Sequence, residues 1–293
     1  MKYKMVAIDV DGTLVDKNGN MAAEDIQAIK RLTHSSVTVA LCTGRSVQTT
    51  KPFIDELGLN TFHIFYDGAF IANTYTKCKM HSQHIDADLV CEVVAFCRNN
   101  NIYLELCANG AVCTTDSPSP LLTNWSATID TDRLFVEKPY RLGATHHDFL
   151  HMDPTVVNFD DIIGKEDILK AEIFVGNDDE AMQAKQFKDY FGDRLNYSIV
   201  QSPSLYDVYF INVLHPQVSK GEAFKQLIDY WGYHPAEIIA IGDNLNDISL
   251  LGTVGVSVAM GNACDELKHV ANYITNPIEE HGVATAIKFF FQL

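Results

Sequence analysis

The stretch that most constrains the fold lies near the start of the chain, where a short apolar run ends in two acidic residues. Residues 5–8 are apolar throughout, which is typical of a buried strand, and Asp9 and Asp11 follow with Gly12 behind them. The carboxyl end of a parallel strand faces the ligand crevice of an α/β sheet. We therefore expect these carboxylates to line a ligand site rather than the hydrophobic core. Two acids this close repel unless a cation or proton lies between them, which suggests a divalent metal. An ordinary strand-to-turn junction is the alternative interpretation.

Two further strands are predicted in the first 70 residues. Residues 37–42 and 62–66 are rich in apolar and β-branched side chains, and they end in Thr43 and Asp67, each followed by a glycine. Segments with helical spacing separate the three strands, and Ser46 is a plausible N-cap of the second helix. Alternating strands and helices of this kind predict an α/β fold with a doubly wound parallel sheet.

The pattern changes in the middle of the chain. Residues 86–98 have helical spacing, and strands then bunch together, with a hairpin predicted around the Asn109-Gly110 turn. Residues 116–170 cannot be divided into helices and strands from the sequence. Strands are again predicted at 171–175, 195–200 and 206–211, with a helix over 179–190. We therefore expect an α+β domain at 83–212, inserted into a sheet domain formed by residues 1–82 and 213–293.

The opening pattern resumes after the insertion. A helix is predicted to begin at Ser219-Lys220, and the strand over 238–241 leads into a polar run that contains Asp243, Asn246 and Asp247. One more strand (254–258) and two helices (263–269 and 282–291) close the chain.

Composition and charge narrow the function classes. The net charge of −16 argues against a nucleic-acid or anionic-membrane surface, and no run approaches the roughly 18 apolar residues of a membrane span. The chain has no secretory signal pattern at its start, and its seven cysteines form no C-x-x-C pair, so we expect a cytoplasmic protein with reduced thiols. Neither the cysteines of the middle region nor His146, His147 and His151 are predicted to form a metal site. Oligomeric state is left open.

Five polar clusters fall at sheet ends or helix starts, and together they fit phosphoryl transfer. They are Asp9/Asp11, Thr43/Gly44, Asp67, Lys220 and Asp243/Asn246/Asp247. Such a reaction needs an in-line nucleophile, a metal and a cation to neutralise charge, and an acid for the leaving oxygen. A carboxylate can be the nucleophile, Mg²⁺ suits an all-oxygen site, and a threonine with helix-start N–H groups can bind phosphate.

These residues also resemble a known family. The runs Asp9-Val10-Asp11-Gly12-Thr13, Thr43-Gly44-Arg45, Lys220-Gly221 and Gly242-Asp243-Asn244-Leu245-Asn246-Asp247 are similar to the four motifs of the haloacid dehalogenase-like phosphatases, in their Cof-type branch with a type IIB cap. The resemblance implies Asp9 as nucleophile and Asp11 as general acid/base. It also implies that Thr43, Gly44, Lys220 and Asn246 lie at the phosphate. Mg²⁺ would be held by Asp9, Asp243 and the backbone carbonyl of Asp11, with Asp247 supporting its waters.

The resemblance predicts an enzyme that hydrolyses a small phosphorylated metabolite, with sugar phosphates as the leading class and the inserted domain closing over the site to select the leaving group. One position departs from the branch, which usually has Asn where this chain has Asp67. Asp67 either caps a turn or contacts a hydroxyl or amine of the leaving group. Two alternatives stay open: a phosphotransferase or mutase with the same nucleophile, and a non-catalytic phospho-acceptor or binding module.

Overall fold

The chain divides into two compact units, one inserted into the other. The structure is a computed structural model, and it describes residues 2–100, 102, 104–108, 159–175, 178–201 and 209–292. The first unit is Met1–Ser82 with Val218–Leu293, and the inserted unit is Gln83–Gln217. The second stretch of the first unit begins at Val218, and a strand that runs to Leu214 belongs to the sheet of the inserted unit.

Strands and helices are numbered along the chain. The strands are β1 (Met5–Ile8), β2 (Thr38–Leu41), β3 (His63–Phe65), β4 (Phe70–Asn73), β5 (Cys78–Ser82), β6 (Leu104–Ala108), β7 (Ile168–Val175), β8 (Asn196–Gln201), β9 (Tyr209–Leu214), β10 (Ile238–Gly242), β11 (Val256–Ala259) and β12 (Tyr273–Ile274). The α-helices are α1 (Ala23–His34), α2 (Val47–Leu57), α3 (Ala87–Asn99), α4 (Phe159–Ile162), α5 (Asp178–Phe191), α6 (Lys220–Trp231), α7 (Ile248–Leu251), α8 (Asp265–Val270) and α9 (Gly282–Phe291). None of these helices is both long and apolar enough to cross a lipid bilayer.

The first unit is built on a parallel sheet whose strand order is β12-β11-β10-β1-β2. Every residue of β1 and β10 is buried, which explains why these strands read as continuous apolar runs rather than as alternating ones. The strands pair in parallel throughout, so the predicted α/β class with a parallel sheet is confirmed. This arrangement brings the carboxyl ends of β1, β2 and β10 to one edge.

The third predicted strand is placed differently from the prediction. β3 joins the parallel sheet through one parallel bridge, between Cys42 and Ile64, and its ladder is an antiparallel one with β4. Tyr66 and Asp67 have φ values of 50° and 54°, which reverse the chain directly after β3. The result is a separate sheet of order β3-β4-β5 whose last two strands were not predicted. β4 has only four residues, and β5 is mostly polar and lacks alternation.

Local signals explain where the second helix begins and ends. The Ser46 side chain accepts a hydrogen bond from the backbone N–H of Thr49, as an N-cap does, and Gly58 ends α2 in the left-handed conformation with φ 68°. This cap matters for function because it fixes the start of α2 directly after the polar residues that end β2.

The inserted unit is an α+β domain with its own core. Its antiparallel sheet has the order β6-β7-β9-β8, and its apolar face packs with residues of α3 and α5 such as Val93, Cys97, Phe187 and Phe191. The opposite face carries polar side chains in register across the strands. They are Glu105, Glu172, Asn212 and Ser198. The hairpin predicted at Asn109-Gly110, most of the undivided stretch 116–170, and the three clustered histidines lie outside the described residues.

Candidate active site

The carboxyl edge of the parallel sheet gathers most of the polar residues that the sequence predicts. Ile8 at the end of β1 pairs with Leu41 of β2 and with Ile241 of β10, so the residues that follow these strands are neighbours. Asp9 continues the ladder by donating its N–H to the carbonyl of Ile241 at 3.0 Å. Asp9, Thr43 and Asp243 therefore leave three adjacent strands at one place.

Lys220 links two of the acidic residues. Its Nζ donates to Oδ1 of Asp9 at 2.6 Å and to Oδ1 of Asp247 at 2.7 Å, and its side chain is only 1% exposed. Burial alone would lower the pKa of Lys220, but the charges of Asp247, Asp9 and Asp67 outweigh burial and raise the pKa well above its ordinary value. Lys220 is thus a permanent cation inside the first unit.

A buried acidic cluster surrounds this cation. Carboxylate oxygens of Asp9, Asp243 and Asp247 all lie within 4.8 Å of one another. Burial, followed by the charge of Asp247, raises the pKa of Asp9 well above its usual range and that of Asp243 to about 7, despite the opposing charge of Lys220. One lysine does not balance three carboxylates, so the cluster has the charge and the oxygen ligands that suit a divalent cation.

The cluster is held by neutral donors as well. Thr13 donates its hydroxyl to Oδ1 of Asp243 at 2.7 Å, and the backbone N–H groups of Asp243 and Asn244 donate to Oδ2 of Asp247, both at 3.1 Å. A Cβ on Gly12, which has φ 80°, would lie 2.4 Å from Oδ2 of Asp243, so no other residue fits the turn that brings the two loops together. These contacts orient Asp243 and Asp247 as an oxygen cradle that fits Mg²⁺.

A second group of polar residues lies where β2 and β3 end. The N–H of Asp67 donates to the carbonyl of Thr43 at 3.0 Å, and Nδ2 of Asn246 donates to Oδ1 of Asp67 at 2.8 Å. A Cβ on Gly44 would lie 2.9 Å from Oδ2 of Asp67, so the carboxylate packs directly against this glycine. The structure therefore brings Thr43, Gly44, Asp67 and Asn246 together, and the charge of Asp67 reaches Lys220.

The carboxylate of Asp11 takes a different direction from that of Asp9. It forms a two-pronged ion pair with Arg45, whose Nε and Nη2 each donate to one carboxylate oxygen at 2.8 Å. Arg45 lies in the Thr43-Gly44-Arg45 run and Thr13 lies in the first motif, but neither residue was predicted to have a role in the site. Their position inside those motifs is the signal that could have identified them.

Comparisons with known proteins bear on this arrangement. The family profile described as haloacid dehalogenase-like hydrolase matches residues 6–287 of the chain. The chain belongs to this family. It is therefore an enzyme of a hydrolase family, as the motifs predicted, and matched relatives are named phosphatases.

Similar proteins extend over nearly the whole chain. The chain is 28% identical to the 5-amino-6-(5-phospho-D-ribitylamino)uracil phosphatase YwtE of Bacillus subtilis, over 96% of each chain. It is 26% identical to the phosphatase YwpJ of the same organism, over 97% of this chain and 99% of the relative. Its fold is similar to that of the subclass IIB sugar phosphatase BT4131, with a TM-score of 0.78, 21% identity, and coverage of 99% of this chain and 100% of that one.

Proposed function

We propose that this enzyme is a magnesium-dependent phosphatase that hydrolyses a small phosphorylated metabolite through an acyl phosphate formed on Asp9. The observation that carries the proposal is the buried Lys220, which bridges Asp9 and Asp247 beside Asp243 at the carboxyl edge of the sheet. A carboxylate fixed by a cation next to an oxygen cradle has the parts that phosphoryl transfer needs.

Asp9 acts as the nucleophile. Lys220 engages Oδ1, and within the described part of the chain Oδ2 accepts no hydrogen bond, so this oxygen can attack phosphorus. The bond from phosphorus to the substrate oxygen breaks as the bond to Asp9 forms, and the leaving oxygen takes a proton from Asp11. The products of this step are the free alcohol and phospho-Asp9.

The second step returns the enzyme to its starting state. Asp11, now a carboxylate, removes a proton from a water molecule whose oxygen attacks phosphorus, and the bond between phosphorus and Asp9 breaks. Inorganic phosphate leaves and Asp11 holds the proton for the next cycle. The acid and the base are therefore the same side chain, which is consistent with its position two residues after the nucleophile.

The remaining residues bind charge. Asp9, Asp243 and the backbone carbonyl of Asp11 would hold Mg²⁺, with Asp247 supporting its waters, and the metal when bound offsets the repulsion between phosphate and carboxylates. Thr43, Gly44, Lys220 and Asn246 would contact the phosphate oxygens. Asp67 accepts from Asn246, and we propose that its carboxylate also contacts a hydroxyl or amine of the leaving group.

Sugar phosphates are the substrate class that we propose. One matched relative is named as a phosphatase of a phosphorylated ribityl compound, and one structure with the same fold is titled a sugar phosphatase. We also propose a cytoplasmic location. In the structure, Cys42, Cys78, Cys91, Cys97 and Cys264 form no disulfide.

Phosphate release from a panel of sugar phosphates, nucleotides and pyridoxal phosphate tests the proposal. We expect turnover with Mg²⁺, loss of turnover with chelator, and loss by a factor of at least about 10⁴ in Asp9→Asn. Asp229→Asn, an exposed carboxylate on α6, is the matched control and should retain full activity. Asp67→Asn should change the ranking of substrates rather than slow all of them equally.

Two results would contradict this function. Transfer of the phosphoryl group to a second metabolite without net phosphate release would indicate a phosphotransferase or mutase. A stable phospho-Asp9 with no turnover on any substrate would indicate a phospho-acceptor module, since an enzyme of the proposed kind hydrolyses that acyl phosphate in its second step.

A further inference from the structure

Arg45 holds the carboxylate of Asp11 by both of its oxygens. Nε donates to Oδ2 and Nη2 donates to Oδ1, each over 2.8 Å. A guanidinium with two parallel donors fits a carboxylate in one plane and one orientation, which a single-point contact does not enforce. The pair therefore fixes both the position and the plane of the Asp11 side chain.

Arg45 is the anchored partner of the two. Its side chain is 2% exposed, whereas that of Asp11 is 31% exposed. The guanidinium lies over the ring of Phe53, with Cζ 5.0 Å from the ring centroid, and Nη1 is 3.5 Å from the carbonyl of Thr49. Both of these residues belong to α2. The helix therefore fixes the guanidinium of Arg45, which in turn fixes the carboxylate of Asp11.

We propose that Arg45 is the positioning residue of Asp11, which places the acid/base carboxylate for both proton transfers. The inference rests on the proposed function, because it concerns the steps that Asp11 performs there. Both oxygens of Asp11 are engaged in the structure, so a proton transfer needs one oxygen to leave the fork while the other stays bound. The guanidinium then serves as a fixed pivot about which the carboxylate turns.

Arg45→Met tests this role, because the methionine keeps an apolar stem against Phe53 and loses every donor. For an alkyl phosphate such as a hexose phosphate we expect kcat to fall by about 100-fold with KM changed by less than about threefold, since misplacement of a catalytic group acts on the chemical step. Arg45→Lys keeps the charge without the fork and should give an intermediate kcat.

A substrate with a better leaving group distinguishes loss of Asp11 positioning from a general structural defect. The leaving oxygen of 4-nitrophenyl phosphate needs little acid assistance, so phosphorylation of Asp9 should stay fast in Arg45→Met while hydrolysis by water still needs Asp11. Rapid mixing should therefore show a burst of nitrophenol equal to the enzyme concentration, followed by slow turnover. A merely structural defect would slow the burst together with the turnover.

A double-mutant cycle decides whether Arg45 acts through Asp11. In an Asp11→Asn background, with the hexose phosphate as substrate, we expect Arg45→Met to change the residual kcat and KM by less than about twofold, because the partner that it positions has already been altered. Independent, multiplying losses would overturn the assignment, and so would a large rise in KM in both backgrounds, which would mean that Arg45 binds substrate.

Two controls complete the experiment. Arg31→Met removes an exposed arginine of α1 and should leave kcat unchanged. If Arg45→Met does not fold, as judged by its melting curve, the cycle is run with Arg45→Lys. Wild-type enzyme that releases no phosphate from any substrate overturns the proposed function and this inference with it. If the wild type is active and the two substitutions give independent, multiplying losses, only the role of Arg45 is overturned.

Discussion

At the scale of single residues, the first unit buries a lysine together with the carboxylates that contact it. Lys220 is the cation that joins Asp9 and Asp247, and removal of one partner from a buried ion pair typically costs about 3–5 kcal/mol of folding free energy. Such an arrangement is a poor choice for stability alone, because apolar residues of similar volume often stabilise a core equally well. The cluster is therefore better explained by chemistry than by folding.

His63 provides the sharpest prediction of pH dependence. Its ring is buried, with Nδ1 accepting from the N–H of Leu41 at 3.0 Å, and burial lowers its pKa to about 4. In the unfolded chain the ring titrates near its ordinary value of about 6.5. Between these two values only the unfolded state binds the proton, so folding stability falls as the pH drops. We expect His63 to lower the unfolding free energy by about 2 kcal/mol from pH 7 to pH 5.

Urea unfolding of wild type and His63→Gln at the two pH values measures this contribution. Glutamine can accept from Leu41 without titrating, so the variant should lose about 2 kcal/mol less than wild type on acidification. His34→Gln, which changes an exposed histidine of α1, should behave like wild type. An identical pH response in His63→Gln and wild type would mean that His63 does not titrate as proposed.

At the scale of elements, the start of α6 determines where Lys220 lies. The Ser219 side chain caps the helix by accepting from the N–H of Glu222 at 3.1 Å, and Gly221 donates its N–H to the hydroxyl of Ser249 at 3.1 Å. A Cβ on Gly221 would lie 2.3 Å from the carbonyl oxygen of Ser249, which lies in α7. The glycine therefore lets the two helices approach closely enough for Lys220 to reach Asp247.

We predict that Gly221→Ala both destabilises the enzyme and impairs its activity. Alanine favours a helix by up to about 1 kcal/mol over glycine, but the clash is with backbone and should cost about 2 kcal/mol or more in net stability. Because α6 must move, Lys220 moves with it, and kcat should fall at least about tenfold. Denaturant unfolding and phosphate release measure the two effects.

Gly252→Ala is the control for this substitution. Gly252 ends α7 with a helical backbone, and its added Cβ would meet its nearest neighbour, the carbonyl of Ile248, at 3.4 Å, which is an ordinary contact. Its stability and kcat should stay close to those of wild type. Equal behaviour of the two variants would contradict the close-approach argument.

At the scale of the whole molecule, the two units differ in what they contribute. The acidic cluster and its cation belong entirely to Met1–Ser82 with Val218–Leu293. The inserted unit has a core of its own, with Phe187, Phe191 and Val213 among its buried residues. A metal that binds the cluster should therefore stabilise one unit selectively.

We predict that Mg²⁺ raises the melting temperature and that its protection is confined to the first unit. Binding stabilises by about 2.7 kcal/mol when the metal is at 100 times its dissociation constant. Hydrogen exchange should slow in peptides covering β1 and β10 and stay unchanged in β7 and β9. Asp243→Asn should abolish both the rise in melting temperature and the slower exchange. Slower exchange throughout both units would contradict binding of the ion at the acidic cluster alone.

The sequence by itself determined which parts of the chain pair and which chemistry they carry. Buried parallel strands are continuous apolar runs, so residues 5–8 and 238–241 were recognisable, and the polar residues behind them had to meet at one edge. The class of fold and the hydrolase family followed from these runs and their order.

Tertiary structure alone decided which side chains pair within the site. Nothing in the spacing distinguishes Asp9, which contacts Lys220, from Asp11, which turns to Arg45, because both lie in one turn. The same holds for Asp67, whose partner Asn246 comes 179 residues later. Such contacts depend on small rotations of loops and helix starts, and the periodicity of apolar residues in the sequence carries no information about these rotations. β3 shows the same limit, since two left-handed residues after it decided its antiparallel partner.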